Sequence, residues 1–448
     1  MKATRLWSLW QALVLSCSLG FTRVGQARFL EWVTGIALNV EEHTITQSLV
    51  GLAAPEDWKA LESFAEYGSW SLPLLHLATA ELAAAPEDQL FFGYCVWAGD
   101  DTKVHRSSAD VWGACTFREH SGRCPNRART VRAHNWVFTG ALRRHGERPP
   151  TFLPVAGLLY FRQSQLPLPQ RGPPIVFRTK CQLMVDLARR NANAAQGKHL
   201  LALDGGYARR SVLRPLARPE PGPCGQTPPR IDVITRVRRD AVLHAPLPDS
   251  HDGRRKWGPP LARPRDGGDW PAPWQVGRAN VYGQWREVRC KEVLCCWRAL
   301  GHDVPVKAVV AWVEGYKEMF TLLSTAVDLT GLQVVEVFGA RSRQEDGIRD
   351  LKGRLGWEEC RAWTRQPIER TTQVLFVTLT CLRLLAEDLQ EEQGDTWWFH
   401  PPWNKGKERP SVLDVQRLLW QHREAFQGLL SLLVQDAKLA PAGGGSTG

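Results

Sequence analysis

Acidic residues at three places in the sequence have the surroundings of metal ligands. Asp100 and Asp101 follow the apolar run LFFGYCVW, Asp204 ends a second apolar run, and Glu345 lies among basic residues. Carboxylate oxygens are the ligands that Mg²⁺ and Mn²⁺ prefer, and two such ions stabilise the attacking and leaving oxygens of a phosphoryl displacement. If the three positions converge, they predict metal-dependent phosphodiester chemistry. Taken singly, each aspartate is an ordinary turn or strand-end residue.

The surroundings of Glu345, residues 338–355, have helical spacing. On an α-helix, Arg341, Glu345 and Lys352 fall within roughly 40° of one another, and Phe338 lies about 20° further round. An apolar stripe adjoins them, which predicts a half-buried helix that presents one carboxylate between two cations. Arg341 and Lys352 would then hold phosphates. A surface helix with ion pairs is the alternative.

Strands must position the first two acidic sites. Residues 90–97 have strand character, and residues 199–203 form a buried strand that precedes Asp204, a glycine turn and a helix. This order puts an acid at the carboxyl end of a central strand. Further strands are predicted within 111–117, 130–142, 153–161, 231–243, 281–315 and 319–329, and further helices at 181–192 and 373–389. The sequence therefore predicts an α/β fold.

The spacing of these residues resembles that of bacterial insertion-sequence transposases of the DDE class. One branch has the signature Tyr, two residues, Arg, three residues, Glu, six residues, Lys. Phe338, Arg341, Glu345 and Lys352 match every interval, with Phe in the place of Tyr. Further similar stretches are GDDTKVHRSSADVWG, TVRAHNWVFTG, LALDGGYA, VITRVRRDAVL and PPWNKGKERPSVLDV. The resemblance covers most of residues 30–425.

The resemblance implies a ribonuclease H-like (retroviral integrase-type) mixed sheet flanked by helices, with a β-rich insertion and an N-terminal helical domain. It implies that Asp101, Asp204 and Glu345 are the catalytic ligands of two Mg²⁺ or Mn²⁺ ions. Asp101 is preferred to Asp100 because it directly precedes Thr102, and Asp100 stays the alternative.

The implied reaction is cleavage of transposon inverted-repeat ends by water, followed by attack of the freed 3′ hydroxyl on target DNA. Arg341, Lys352 and Phe338 would contact the DNA, and two ends held together imply a homodimer on DNA. Two departures from the pattern stand out. Phe338 lacks the hydroxyl that a Tyr would donate to a phosphate, and residues 103–110 lack a glycine often found there.

The same pattern divides the chain into five parts. We expect an N-terminal helical, DNA-binding domain at 1–85, the catalytic domain at 86–225 and 319–392, the insertion at 226–318, and a C-terminal helical segment with a flexible tail at 393–448. A helical packing domain is the alternative for the N-terminal part.

Composition favours a polyanionic partner in a reducing compartment. The 57 Lys and Arg outnumber the 46 Asp and Glu, which favours nucleic acid over a membrane surface. The 11 Cys have no framework spacing and include no pair of CxxC units, which favours reduced structural thiols over disulfides or zinc. No apolar run reaches the ~18 residues of a membrane span. This composition favours a cytoplasmic protein without a membrane contact, and the resemblance implies that it is bacterial and nucleoid-associated.

Two other functions compete with an active transposase. Phe338 favours a catalytically inactive, transposase-derived DNA-binding protein. The basic start and short apolar run of residues 1–27 are compatible with a secreted Trp-rich binding protein, but Trp7, Trp10 and Cys17 interrupt the run. His134 invites a catalytic interpretation, yet a histidine between strands is more often structural.

Overall fold

The computed structural model describes residues 2–108, 110–118, 130–166, 168, 174–221, 225–247 and 256–439. Its strands are β1 (Tyr94–His105), β2 (Cys115–Arg118), β3 (Thr130–His145), β4 (Arg148–Tyr160), β5 (Lys198–Leu203), β6 (Ile231–Arg236), β7 (Leu243–His244), β8 (Gln275–Val281), β9 (Gln284–Trp297), β10 (Pro305–Val313) and β11 (Phe320–Ser324). Its helices are α1 (Ala3–Ser16), α2 (Arg23–Leu38), α3 (Trp58–Tyr67), α4 (Leu72–Ala83), α5 (Lys180–Asn193), α6 (Arg210–Ala217), α7 (Gly331–Ala340), α8 (Arg343–Gly353), α9 (Arg365–Gln393), α10 (Val412–Gln421) and α11 (Arg423–Leu439).

The strands of the described residues form one mixed sheet. Its order is β2-β3-β1-β5-β6-β11-β10-β9-β7, with β4 also paired to β3 and β8 to β9. The central strands β1, β5 and β6 run parallel, whereas β3 and β11 run antiparallel to their neighbours β1 and β6. Parallel strands need crossover connections, and α5 supplies the one from the β3–β4 hairpin to β5.

Side chains of the central strands alternate between two hydrophobic cores, as the pleat of a strand requires. Val96 and Ala98 of β1 face the core that contains α7, α9 and the N-terminal helices. Cys95 and Trp97 face a second core that contains α5 and α6. Because both faces are covered, the molecule has a helix–sheet–helix layering, and the prediction of an α/β fold is confirmed at that level.

The N-terminal and C-terminal helices share the first core with the buried helix α9. Trp7 of α1 packs edge-on against Phe426 of α11, with ring centroids 5.0 Å apart. Trp10 and Trp32 are fully buried there, so much of the tryptophan content serves packing. No helix in the described part of the chain is both long enough and apolar enough to cross a bilayer.

The segment predicted as a β-rich insertion continues the central sheet. Strand β6 lies within the range 226–318, yet it pairs in parallel with β5 and belongs to the centre of the sheet. Strands β8 to β10 then extend that sheet beyond β11. The cysteines at the nine described positions are free thiols.

Candidate active site

Two predicted acids lie side by side on neighbouring strands, Asp204 directly after the end of β5 and Asp100 inside β1, which continues to His105. Gly99 of β1 and Leu203 of β5 are partners in the parallel ladder, and Asp100 and Asp204 are the next residues on the two chains. Aligned residues of parallel strands project to the same face of a sheet. Both aspartates therefore share the face of Ala98, on which α7 and α8 also lie.

Asp100 is held by the signature segment. Its carboxylate accepts hydrogen bonds from Arg341 Nη1 at 3.2 Å and Gln344 Nε2 at 2.8 Å. Burial raises the pKa of Asp100 to about 6; Arg341 and the N–H of Asp101 oppose that rise, and the nearby charges of Asp101 and Asp204 add to it. A cationic ligand would therefore meet a carboxyl group that ionises close to neutral pH.

Asp101 points to the opposite face of the sheet. Its carboxylate accepts a hydrogen bond from the Tyr207 hydroxyl at 3.1 Å and pairs with the ammonium of Lys180 on α5. Successive residues of a strand alternate between faces, so Asp100 and Asp101 cannot both face Asp204. The geometry favours Asp100, the alternative ligand, over Asp101.

The segment 338–355 is broken rather than continuous. Helix α7 ends at Ala340 and α8 begins at Arg343. Between them Gln344 N–H bonds to Arg341 O and Glu345 N–H to Ser342 O, each at 3.0 Å, which is the i to i+3 pattern of a 3₁₀ turn. The Ser342 hydroxyl also donates to Gly339 O and competes for the helical acceptor. The continuous helix predicted from the spacing is therefore wrong at this turn.

This break decides which side chain faces the aspartates. Gln344 is 1% exposed and reaches Asp100, whereas Glu345 is exposed to solvent. Within the described residues, no three His, Cys, Asp or Glu side chains lie close enough together to hold a metal ion. The structure thus brings Asp100 and Asp204 together. The residue of α8 that contacts Asp100 is Gln344, and its neighbour Glu345 does not join the two aspartates.

The basic and aromatic residues of the signature flank the aspartates. Arg341 lies over the ring of Phe338, with its guanidinium carbon 5.5 Å from the ring centroid. Lys352 donates to Lys103 O on β1 and pairs with Glu358 at 3.0 Å. Lys352 is therefore tied to the strand that carries Asp100.

A cavity of about 350 Å³ adjoins Phe338. Tyr282 and Tyr316 stack across it with ring centroids 5.9 Å apart, and Arg236 and Lys317 also line it. A second cavity of about 500 Å³ shares Arg236 and Lys317. Its other lining residues include Arg239, Arg265, Trp312 and Glu318. The two cavities thus form a basic and aromatic cleft that starts beside the candidate site.

Sequence reasoning missed several residues of this site. Arg236 lies at the end of β6 and Lys317 in the turn before β11, and neither belongs to the signature. The one signal for Arg236 is its position, since the carboxyl ends of parallel strands meet at one edge of a sheet. Lys317 reaches the same edge because β11 runs antiparallel to β6. The sequence contains no signal for Gln344 or Tyr207. A 3₁₀ turn that periodicity does not reveal orients Gln344, and a hydrogen bond to Asp101 on another strand orients Tyr207.

Comparisons of the sequence with models of protein families and with curated proteins return no match.

Proposed function

We propose that this protein is a DNA transposase of the DDE class, a metal-dependent endonuclease and strand transferase. The observation that carries the proposal is the register of β1 and β5, which aligns Asp100 with Asp204 on the face of the signature segment. These two acids are 104 positions apart in the sequence, and their alignment does not follow from the signature spacing.

The sheet supports a ribonuclease H-like core for this proposal. The strand order β4-β3-β1-β5-β6 combines an antiparallel hairpin with two parallel strands that follow β1. Such a mixed sheet places carboxylates from separate strands at one edge, where the ligands of α/β proteins bind. The strands beyond β6 extend that sheet and add the basic cleft.

The donor set fits hard divalent cations. Asp100 and Asp204 would hold Mg²⁺ or Mn²⁺, and Glu345 on the adjoining helix would complete the set once its exposed carboxylate turned toward Asp100. When bound, these ions polarise the scissile phosphate and lower the pKa of an attacking water. Arg341 stands beside Asp100, so its guanidinium can hold a non-bridging phosphate oxygen.

Lys352 has a different part in this scheme. Its ammonium is anchored to Lys103 O and Glu358, so it keeps α8 against β1 and adds positive charge along the DNA path. The free 3′ hydroxyl would attack target DNA at the same pair of aspartates. Cleavage of two ends favours a homodimer on DNA.

The test is cleavage of defined DNA by the purified protein. Duplexes that carry the inverted repeats flanking the coding region are incubated with Mg²⁺ or Mn²⁺, and nicks are mapped. We expect nicking at the repeat ends, reduced at least about 10³-fold in Asp204→Ala and Asp100→Ala, since each removes a ligand of the reacting centre. The exposed Glu391→Gln variant on α9 serves as control and should cleave normally.

Cleavage that survives in both alanine variants would refute the proposal. A second candidate, a catalytically inactive DNA-binding protein, is favoured by two observations: Phe338 lacks a hydroxyl, and Glu345 faces solvent rather than Asp100. Specific binding of the repeat ends without cleavage under either metal would establish that second function.

A further inference from the structure

The turn that carries Asp204 is held at two points of its backbone. The Thr235 hydroxyl on β6 and the N–H of Tyr207 both donate to Asp204 O, each at 3.0 Å. The turn Gly205–Tyr207 is a single 3₁₀ turn, and the Asp204 side chain itself is exposed. The direction of its carboxylate therefore depends on how firmly this short turn is fixed.

Tyr207 fixes the far end of that turn. Its ring is 4% exposed in the core between the sheet and α5, and its hydroxyl donates to Asp101 Oδ1 at 3.1 Å. A buried hydroxyl needs a partner, and a carboxylate is a strong acceptor. Asp101 supplies that partner from β1, the same strand that carries Asp100.

Asp101 is itself held in one orientation. Lys180 pairs with its other carboxylate oxygen, and the Lys180 ammonium also lies 5.6 Å from the Tyr160 ring centroid. Lys180 is the first residue of α5, which begins with a capping box between Thr179 and Gln182. Both oxygens of Asp101 are thus engaged on the face of the sheet that lies away from Asp204.

We propose that Asp101 is a positioning residue whose carboxylate, acting through the Tyr207 hydroxyl, fixes the turn that aims Asp204 toward Asp100. This inference rests on the proposed DNA cleavage and assigns Asp101 a role other than metal ligation. The series of contacts from Asp101 through Tyr207 to the Asp204 turn crosses the sheet. Asp100 and Asp101 therefore act on opposite faces. One binds the reacting centre, and the other holds the second ligand in place.

The experiment compares Asp101→Leu, Asp101→Asn and Tyr207→Phe in the full-length protein. End-DNA nicking is measured as kcat and KM, together with the Mn²⁺ concentration that gives half the maximal rate. We expect kcat to fall about tenfold in Tyr207→Phe and Asp101→Leu, with KM for DNA unchanged, because supports of a ligand act at this scale. Asp101→Asn should stay within about threefold of the unaltered protein because its amide oxygen still accepts the hydroxyl.

A double variant separates one shared path from two independent effects. Tyr207→Phe combined with Asp101→Leu should lose no more activity than either single change, since both break the same contact. If Asp101→Asn were as inactive as Asp100→Asn while Tyr207→Phe cleaved normally, Asp101 would bind the metal directly, and the inference would be overturned. A parallel fall of kcat, DNA binding and melting temperature would show a merely structural residue and overturn it as well. Failure of the proposed function has a different signature, which is cleavage that persists in both Asp100→Ala and Asp204→Ala.

Discussion

At the scale of single residues, the departure at Phe338 has a direct test. The cavity beside its ring has room for a hydroxyl, and Arg341 already lies over the ring. We expect Phe338→Tyr to raise the nicking rate several-fold, because a phenol would add a hydrogen-bond donor to phosphate, an interaction worth about 1 kcal/mol. The measurement is single-turnover cleavage of end DNA. Phe320→Tyr, which adds a hydroxyl to the same cavity outside the signature, is the control and should leave the rate unchanged.

A second residue-scale prediction concerns His134. It is buried, accepts from Arg106 at Nδ1 and therefore donates from Nε2 to Trp112 O at 2.8 Å. Burial, reinforced by the charge of Arg106, lowers its pKa to about 3. The arrangement is that of a structural histidine, although His134 lies within β3 and not between two strands as the sequence suggested.

Acid should therefore destabilise the fold through His134. Between pH 6.5 and pH 3 the unfolded chain binds a proton that the folded chain refuses, so stability is complete above pH 6.5 and falls below it. One such histidine lowers the free energy of unfolding by about 2 kcal/mol at pH 5. Urea unfolding at pH 7 and pH 5 measures this loss. His134→Gln should make the loss of stability between pH 7 and pH 5 smaller by about 2 kcal/mol. Substitution of the exposed His302 by Gln should leave that loss unchanged.

The residue types of the site could be predicted from the sequence, but their orientation could not. Asp204 before two glycines and the basic pair Arg341 and Lys352 were visible as a pattern. The choice between Asp100 and Asp101 depends on which face of β1 each occupies, and only the register with β5 fixes that. A shift of one residue exchanges the two faces, so spacing alone cannot decide.

At the scale of elements, helix α8 is fitted closely against β4. A Cβ on Gly347 would lie 2.6 Å from Phe152 Cδ1, and the Phe152 ring is fully buried. Arg383 on α9 also donates to Phe152 O and pairs with Asp350 of α8 at 2.7 Å. The helix that carries Gln344 is therefore held by packing and by charge.

Gly347→Ala should force α8 away from β4. We expect a loss of about 1–3 kcal/mol in the free energy of unfolding, the usual cost of overpacking, and slower nicking because Gln344 would leave Asp100. Gly353→Ala is the matched control in the same helix, where an added Cβ meets nothing within 4 Å. It should be neutral or slightly stabilising, given the helix propensity of alanine. Equal stability of the two variants in urea would contradict the close packing of α8.

The existence of these elements was largely predictable, and their ends and connections were not. Strand β5, which ends before Asp204, and the first half of β1 follow from their apolar runs, but the predicted strand end at Asp100 is wrong because β1 continues to His105. The break between α7 and α8 does not, since the helical period continues through Arg341. A competing hydroxyl at Ser342 is a local contact that periodicity does not contain.

At the scale of the whole molecule, the extended sheet and the distribution of charge bear on DNA binding. The net charge is +11, and Arg236 and Lys317 line both cavities of the cleft beside Phe338. Within the described residues, neither side chain has a hydrogen bond or ion pair with the protein. Arg298, by contrast, lies before β10 at the opposite end of the sheet.

These two cations should bind DNA phosphates. Each phosphate contact adds about 0.9 to the slope of log affinity against log salt, so Arg236→Ala with Lys317→Ala should lower that slope by about 2. Affinity at moderate salt should fall roughly tenfold, whatever the DNA sequence. Fluorescence titrations of labelled end DNA at several concentrations between about 50 and 300 mM NaCl, a range over which the Debye length shortens, measure both quantities. A slope lowered by about 1 in Arg298→Ala, which removes one charge where the double variant removes two, would mean that total charge, and not the cleft beside Asp100 and Asp204, determines binding.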